Sequence, residues 1–334
     1  MPEKVKIVLT ILIVFFIALI GAVGCGQLLQ KTEPEKLAVI QHDPYVFVAN
    51  YNSQNISVIN ALKGTVETTI KLTESPWSVK FNKNQNKWYV ATKYSILVIR
   101  NTDLTIEASI SVPGMSLAGI VLNAEGTYAY VVDAALEDVS FMDLAKNAAE
   151  KRVNVGTTPV WIDIAKDQRK LYVTNFYTNN VSVINIANGS LEANINVGSH
   201  PYGLAVNPNT GKIYIANTAS NFISIIDPAT NDVDNSIPFS FSPSWISISS
   251  GANKIYVADN DSNNIYVLDI DSFAVKSTIG LSSRPTCMSF NAAKTRLYIS
   301  HAGDDIVSII NTQTESIEAI VSVGDRPVGL CYEE

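Results

Sequence analysis

The sequence predicts an all-β fold, a seven-bladed β-propeller with four antiparallel strands in each blade. Three observations carry this expectation. One aromatic residue recurs inside a β-type run at Phe47, Tyr89, Tyr130, Tyr172, Tyr214, Tyr256 and Tyr298, with spacings of 42, 41, 42, 42, 42 and 42 residues. Each repeat holds four short runs divided by turn residues, which is the content of one propeller blade. No helical period interrupts the repeats.

The unit that starts at Lys170 gives the order of elements. Lys170-Leu171-Tyr172-Val173-Thr174-Asn175 is a β-branched and aromatic run, followed by a polar loop over residues 176–180. Val181-Ser182-Val183-Ile184-Asn185 reads as a second strand, and Asn188-Gly189 is a tight-hairpin signal. Residues 191–197 alternate as a third strand. Gly198-Ser199-His200-Pro201 turns the chain into a fourth, 202–206, which is the innermost of its blade.

The repeats resemble the YVTN family of propeller proteins (YncE-like). Tyr172-Val173-Thr174-Asn175 is that tetrapeptide verbatim, with variants at Tyr214-Ile215-Ala216-Asn217 and Tyr256-Val257-Ala258-Asp259. A Val-Gly-x-x-Pro segment recurs at Val155 to Pro159, Val197 to Pro201 and Val323 to Pro327. The resemblance covers residues 37–334 and implies a closed ring, in which the loops after each Tyr-bearing strand and the loops entering each innermost strand share one end of the channel. It implies a fold more than a function.

Eight segments compete for seven innermost strands. The closing place falls to 328–332, which follows the family's Arg326-Pro327-x-Gly329 start, rather than to 37–40, which is expected at the rim or loose. Pairing of the C-terminal strand with N-terminal ones leaves no open sheet edge. The third unit breaks the pattern: Leu117 stands where the turn proline belongs, and its loop reads Ala134-Ala135-Leu136-Glu137-Asp138.

The length of 334 residues is therefore one ring rather than two or three domains. Low charge, 16%, with 47% hydrophobic residues excludes a disordered chain, and three cysteines exclude a disulfide-stapled scaffold. Residues 1–24 read as an export segment, with Lys4 and Lys6 before an uncharged run from Ile7 to Gly24. Small residues before Cys25 resemble a bacterial lipobox, with Ala22 where that motif usually has leucine. Cys25 is the expected lipid attachment; an uncleaved anchor helix or plain cleavage gives the same topology. Residues 25–36 read as a polar tether. The chain is thus expected to be exported and held at the cell membrane, on its extracellular or periplasmic face. Removal of residues 1–24, two lysines against one glutamate, takes the net charge from −7 to −8, which works against nucleic acid as a partner.

Three of the four tryptophans follow a turn proline within two residues: Trp77, Trp161 and Trp245. With Tyr177, His200, Tyr202, Arg284, His301 and Arg326 they form the expected binding face, since aromatic and arginine side chains dominate contact surfaces. Packing between blades is the competing role for the tryptophans. His42, His200 and His301 have no metal-ligand spacing, so no metal or other cofactor is expected. The expected function is a monomeric, non-catalytic binding or scaffold module for a protein or surface polymer. The resemblance leaves three rivals open: a lactonase-like hydrolase or lyase seeded by Asp163, His200, Asp259 and His301; a haem-d1-like propeller, needing an axial histidine in the channel; and a single-stranded DNA binder, needing a local patch of Lys93, Arg284 and Arg326.

Overall fold

The computed structural model describes residues 42–333 apart from Pro113 and Met115. Its 28 strands form seven four-stranded antiparallel sheets. Blade 1 is β1 (Tyr45–Asn50), β2 (Asn55–Asn60) and β3 (Thr65–Lys71), completed by the last strand of the chain. Blade 2 is β4 (Pro76–Asn82), β5 (Lys87–Thr92), β6 (Ser95–Arg100) and β7 (Ile106–Ser111). Blade 3 is β8 (Leu117–Leu122), β9 (Tyr128–Asp133), β10 (Asp138–Asp143) and β11 (Ala148–Asn154). Blade 4 is β12 (Pro159–Ile164), β13 (Lys170–Asn175), β14 (Asn180–Asn185) and β15 (Ser190–Asn196). Blade 5 is β16 (Pro201–Val206), β17 (Ile213–Asn217), β18 (Phe222–Asp227) and β19 (Asp232–Pro238). Blade 6 is β20 (Pro243–Ser249), β21 (Lys254–Asp259), β22 (Asn264–Asp269) and β23 (Val275–Gly280). Blade 7 is β24 (Pro285–Phe290), β25 (Arg296–His301), β26 (Ile306–Asn311) and β27 (Ser316–Ser322), and β28 (Pro327–Tyr332) returns to blade 1.

The closure is the one expected from the sequence. β28 pairs antiparallel with β1, with Phe47 opposite Cys331 and Ala49 opposite Gly329. The innermost strands contact one another in ring order, β4, β8, β12, β16, β20, β24 and β28, which touches β4 again. Residues 1–41, which include the export segment, Cys25, the tether and the 37–40 strand, lie outside the described residues.

Each blade grades from core to solvent for a simple reason. The second and third strands are covered on both faces by neighbouring blades, so β13 (KLYVTN) and β14 (NVSVIN) are buried almost throughout and carry apolar residues at their centres. The fourth strand has one edge in water and alternates, as in β15, where Ile195 is buried between exposed neighbours. The repeat aromatic is fully or nearly buried in every blade; such burial contributes about 1.5–3 kcal/mol per side chain. Its hydroxyl can bolt one blade to the next: Tyr298 of blade 7 donates to the Ala61 carbonyl of blade 1 at 3.3 Å. In blade 1 the aromatic is Phe47, stacked at 3.8 Å on the buried Trp88 of blade 2.

The turn proline explains the start of each innermost strand. It has no N–H for the ladder, and the register shifts immediately after it, between Pro159 and Trp161 and between Pro243 and Trp245. That bulge re-aims the following side chains, which decides where the tryptophans go.

Candidate functional site

Two loop sets meet at one end of the ring, here the upper end. In blades 1, 4, 5 and 6 the loop after the Tyr-bearing strand or its blade 1 counterpart is hydrogen-bonded to the loop entering the innermost strand: Tyr51 N–H to the Arg326 carbonyl at 2.9 Å, Phe176 to Thr158 at 3.0 Å, Thr218 to His200 at 3.0 Å and Asn260 to Ser242 at 2.7 Å. Thr158, His200 and Arg326, each just before its proline, are left-handed, with φ of 53°, 54° and 57°. Non-glycine residues seldom adopt this conformation, and such strain gathers where side chains are being aimed. Side-chain carboxyl and amide groups hold it: His200 N–H donates to Asn179 Oδ1 at 2.9 Å and Arg326 N–H to Asp305 Oδ1 at 2.8 Å.

A groove of about 610 Å³ at the upper end spans the loops of blades 4 to 7 and is lined by Phe176, His200, Tyr202, Asn260, Asp261 and Arg284, among others. His200 stacks flat on Phe176, with ring centres 4.4 Å apart, and the exposed Tyr177 meets Phe176 edge-on at 5.1 Å. Tyr202 continues the series at 6.4 Å from Phe176 and 6.2 Å from Trp245. Trp245 meets Trp161 at 4.3 Å. Rings therefore run without a break from the rim to the channel.

The last contact shows what two of the tryptophans do. Trp161 and Trp245 belong to blades 4 and 6, which are not neighbours. Between them, at the same strand position, blade 5 has Gly203. A Cβ there would lie 2.5 Å from the Ser244 carbonyl oxygen and 2.8 Å from the Trp245 Cα, so glycine is what lets β16 approach β20. The two indoles meet across it. Trp245 is only 7% exposed and Trp161 half-buried. Below them, two residues further along its strand, Asp163 points the same way as Trp161. Burial pushes its carboxyl above the usual range, Lys80 opposes the shift, and its oxygens accept the Ile164 N–H at 2.8 Å and the Val206 N–H at 3.4 Å. The Lys80 ammonium also lies 5.9 Å from the Trp161 ring. Asp163 and Lys80 each fall four residues after a turn proline, a spacing that marks the channel layer beneath the indoles.

Trp77 is elsewhere. It packs edge-on against Tyr51 at 5.5 Å, and Arg326 lies over the other ring of that pair, 5.0 Å from the Tyr51 centre. Arg284 and Arg326 are exposed and form no ion pair among the described residues. Arg284 reaches Asn260 Oδ1 only at 3.5 Å. Burial raises the pKa of the Tyr202 hydroxyl, while the charges of Arg284 and Arg326 pull it back, which brings both guanidinium groups into the field of the same phenol.

The structure thus gathers Tyr177, His200, Tyr202 and Arg284 at one groove, places Trp161 and Trp245 in the channel beneath, and leaves Trp77 and Arg326 on the blade 1 and 2 side. His301 is a correction: it does not reach the face. It ends β25 at the position that is asparagine in blades 1, 4 and 5, and it is fully buried. Its Nδ1–H donates to the Ser283 carbonyl at 2.9 Å, Nε2 has no partner, and burial lowers its pKa. Phe176 is the groove residue that the expected set lacks; its place beside Tyr177 in the loop after the second strand was the signal. Among the described residues no group of three or more His, Cys, Asp or Glu is placed to hold a metal ion. Cys287 and Cys331 are not joined in a disulfide, and burial pushes the Cys287 thiol up to about 11.

The profile of the YNCE-like β-propellers matches residues 23–288. The chain belongs to this family. No functionally curated protein matches it. Among solved structures, a functionally unknown protein of Desulfotomaculum acetoxidans DSM 771 superposes with a TM-score of 0.75 at 16% identity, over 87% of this chain and 99% of its own. Kuenenia stuttgartiensis hydrazine synthase follows at TM-score 0.72 and 16% identity, over 79% and 92%. The dihydro-heme d1 dehydrogenase NirN, solved in complex with DHE, gives 0.68 at 11%, over 90% and 77%. At these identities the likeness is one of fold.

Proposed function

We propose that this YNCE-like propeller is an exported, membrane-tethered binding module without catalysis of its own, and that it takes a protein or surface-polymer partner in the upper groove. One observation carries the reading: an unbroken series of rings, from Tyr177 through Phe176 and Tyr202, lies beside an arginine with no ion-pair partner. Rings offer flat contact area at low entropic cost, and an unpaired guanidinium offers a planar fork to a carboxylate. The partner's chemistry is then an anionic group next to a flat apolar surface. The chain enters the ring at the lower end, since β1 runs upward from Tyr45 to the loop at Tyr51.

The seeds of the enzymatic rival stand in separate settings. The Asp259 carboxylate is occupied by the Ser242 N–H at 3.3 Å, the Asp261 N–H at 3.0 Å and the Ser262 hydroxyl at 2.5 Å. His301 is buried, Asp163 lies below the indoles, and His200 is stacked on Phe176. None of the three histidines lies on an innermost strand, where an axial ligand for a channel-bound macrocycle is needed.

The test uses the quenching of tryptophan emission in the full-length protein by an acidic oligosaccharide (oligogalacturonate) and by an acidic peptide ending in a free carboxylate. Saturable quenching by either, lost in Tyr202→Ala and weakened at least tenfold in Arg284→Ala, is expected. Unchanged emission with both probes, or quenching that both variants retain, defeats the reading.

A further inference from the structure

The cationic and aromatic surface of the upper end continues past the groove. The residue before the turn proline is Arg284 in blade 7 and Arg326 in blade 1. Blades 2 to 6 have Ser75, Ser116, Thr158, His200 and Ser242 there, so fixed positive charge at this position is confined to two blades. Those blades are neighbours, and their innermost strands, β24 and β28, are in contact. Arg284 lines the groove, whereas Arg326 stands one blade further round, outside it.

Beyond Arg326 the rings begin again. Its guanidinium lies 5.0 Å from the centre of the Tyr51 ring, and Tyr51 meets Trp77 of blade 2 edge-on. Lys93, in the loop between β5 and β6, lies 5.0 Å from the centre of the exposed Tyr94 ring. Tyr94, and more weakly Tyr51, favour the charged form of Lys93, so the ammonium stands in the field of both phenols. The carboxylates of this rim are engaged elsewhere. Asp305 takes the Arg326 backbone N–H, Asp325 the Asn52 amide at 3.2 Å, and Glu74 the Tyr94 N–H at 3.1 Å. Asp261 lines the groove without pairing with Arg284. Neither Arg326 nor Lys93 forms an ion pair among the described residues. From blade 4 through blade 7 to blade 2 the mouth therefore presents rings, an arginine, a second arginine, rings again and a lysine.

We propose that this arc binds an acidic polysaccharide of the uronic-acid type, with one unit in the groove at Arg284 and further units along Arg326, Tyr51 and Lys93. The assignment rests on the proposed function and narrows its partner to one class. Such a polymer repeats what the arc repeats. Each unit has a pyranose ring with an apolar C–H face, and a carboxylate on that ring. The face lies on an aromatic side chain and the carboxylate takes the guanidinium fork. A small anion fills one station only. Linked units gain affinity because the second contact is made within the complex. An acidic peptide carries the carboxylates without a ring beside each, so it matches half of every station.

The test compares the quenching of tryptophan emission in the full-length protein by digalacturonate, octagalacturonate and an octaglutamate peptide. The octasaccharide is expected to bind at least about thirtyfold more tightly than the disaccharide, well above the roughly sevenfold that overlapping registers on one station supply. Arg326→Asn is expected to remove that excess and leave disaccharide binding within about twofold. Asparagine tolerates the left-handed backbone of this residue, φ 57°. Lys93→Gln, a change at an exposed side chain, is expected to reduce the excess about threefold. No quenching by any of the three probes overturns the proposed function, and this assignment with it. A disaccharide that binds while the octasaccharide shows only the register gain overturns this assignment alone. So does an excess that either variant retains in full. An octaglutamate that binds as tightly as the octasaccharide overturns it in favour of an acidic protein.

Discussion

Blades 3 and 4 are neighbours with the same strand order, the same register and the same buried serine, yet they solve one problem in opposite ways. Each must satisfy the end of its second strand where the two upper loop sets meet. Blade 4 does it with neutral amides: Asn175 donates to Asn180 and to Ser182, and Ser182 donates to Asn194. Blade 3 does it with Asp133, Asp138 and Arg152, which leaves Asp138 Oδ1 and the Ser140 hydroxyl without protein partners. The β-sheet frame dictates that a polar group sits at this place, because the strand ends there. It does not dictate the charge. The neutral network leaves Asn175 Oδ1 as its buried atom without a partner, whereas the charged one leaves Asp138 Oδ1 and the Ser140 hydroxyl and needs an arginine beside it.

The comparison breaks most sharply if blade 4 is converted in one step. Asn175→Asp puts a buried carboxylate against Asn180 Oδ1 without an equivalent of Arg152, and it removes the donor for two acceptors. The expected cost is about 3 kcal/mol, since a buried polar group left unsatisfied costs about 1–3 kcal/mol and a charged one more. A drop in Tm of roughly 5 °C or more follows; an unchanged melt means that the two networks are interchangeable. The second contrast lies two residues after the turn, where blade 3 has Gly119 and blade 4 has Trp161. Trp161→Ala removes a half-buried ring and its contact with Trp245. The expected loss is about 2 kcal/mol, below the ~3–5 kcal/mol of a fully buried tryptophan. Emission from Trp245 is expected to shift to the red as water enters the channel. If stability falls with no spectral shift, the indoles do not close the channel.

How much of this was legible in the sequence depends on the distance over which each feature is determined. The 42-residue period fixes blade number and strand order because every copy must bury the same faces. The closing strand is readable because Arg326-Pro327-x-Gly329 repeats a local turn. The groove was half readable. His200, Tyr202 and Arg284 are loop residues near a proline, and their loop set follows from the repeat. The fate of Trp161 and Trp245 was not, because it depends on a bulge after proline and on Gly203 in the blade between them. His301 misleads when read as a histidine in a loop; aligned with Asn50, Asn175 and Asn217, it falls at a buried strand end. The same alignment exposes Asp133 and Asp138, but only the registers, with Ser182 opposite Asn194 and Ser140 opposite Arg152, show that these positions form one network.

The finest contrast between the two blades is in their response to pH. Asn180 does not titrate. Asp138 does, and its pKa is raised: burial is the main cause, Arg152 opposes it, and Asp133 adds to it. Asp133 and Arg152 are the charged groups that act on it from the facing strands, β9 and β11. A carboxyl whose folded pKa lies above its unfolded value of about 3.9 favours folding most when it is protonated in both states. Its contribution is therefore fully present below about pH 4 and is lost as pH rises through the folded value. Other groups set the overall pH profile, so the quantity to measure is the difference in Tm between the wild type and Asp138→Asn, in EDTA, from pH 4 to pH 8. The wild type is expected to lose ground to the variant as pH rises. A difference that stays constant across the range means that Asp138 is ionised in the folded state throughout, with Arg152 alone sufficient to hold it. Blade 3 then differs from blade 4 in charge but not in its need for a partner.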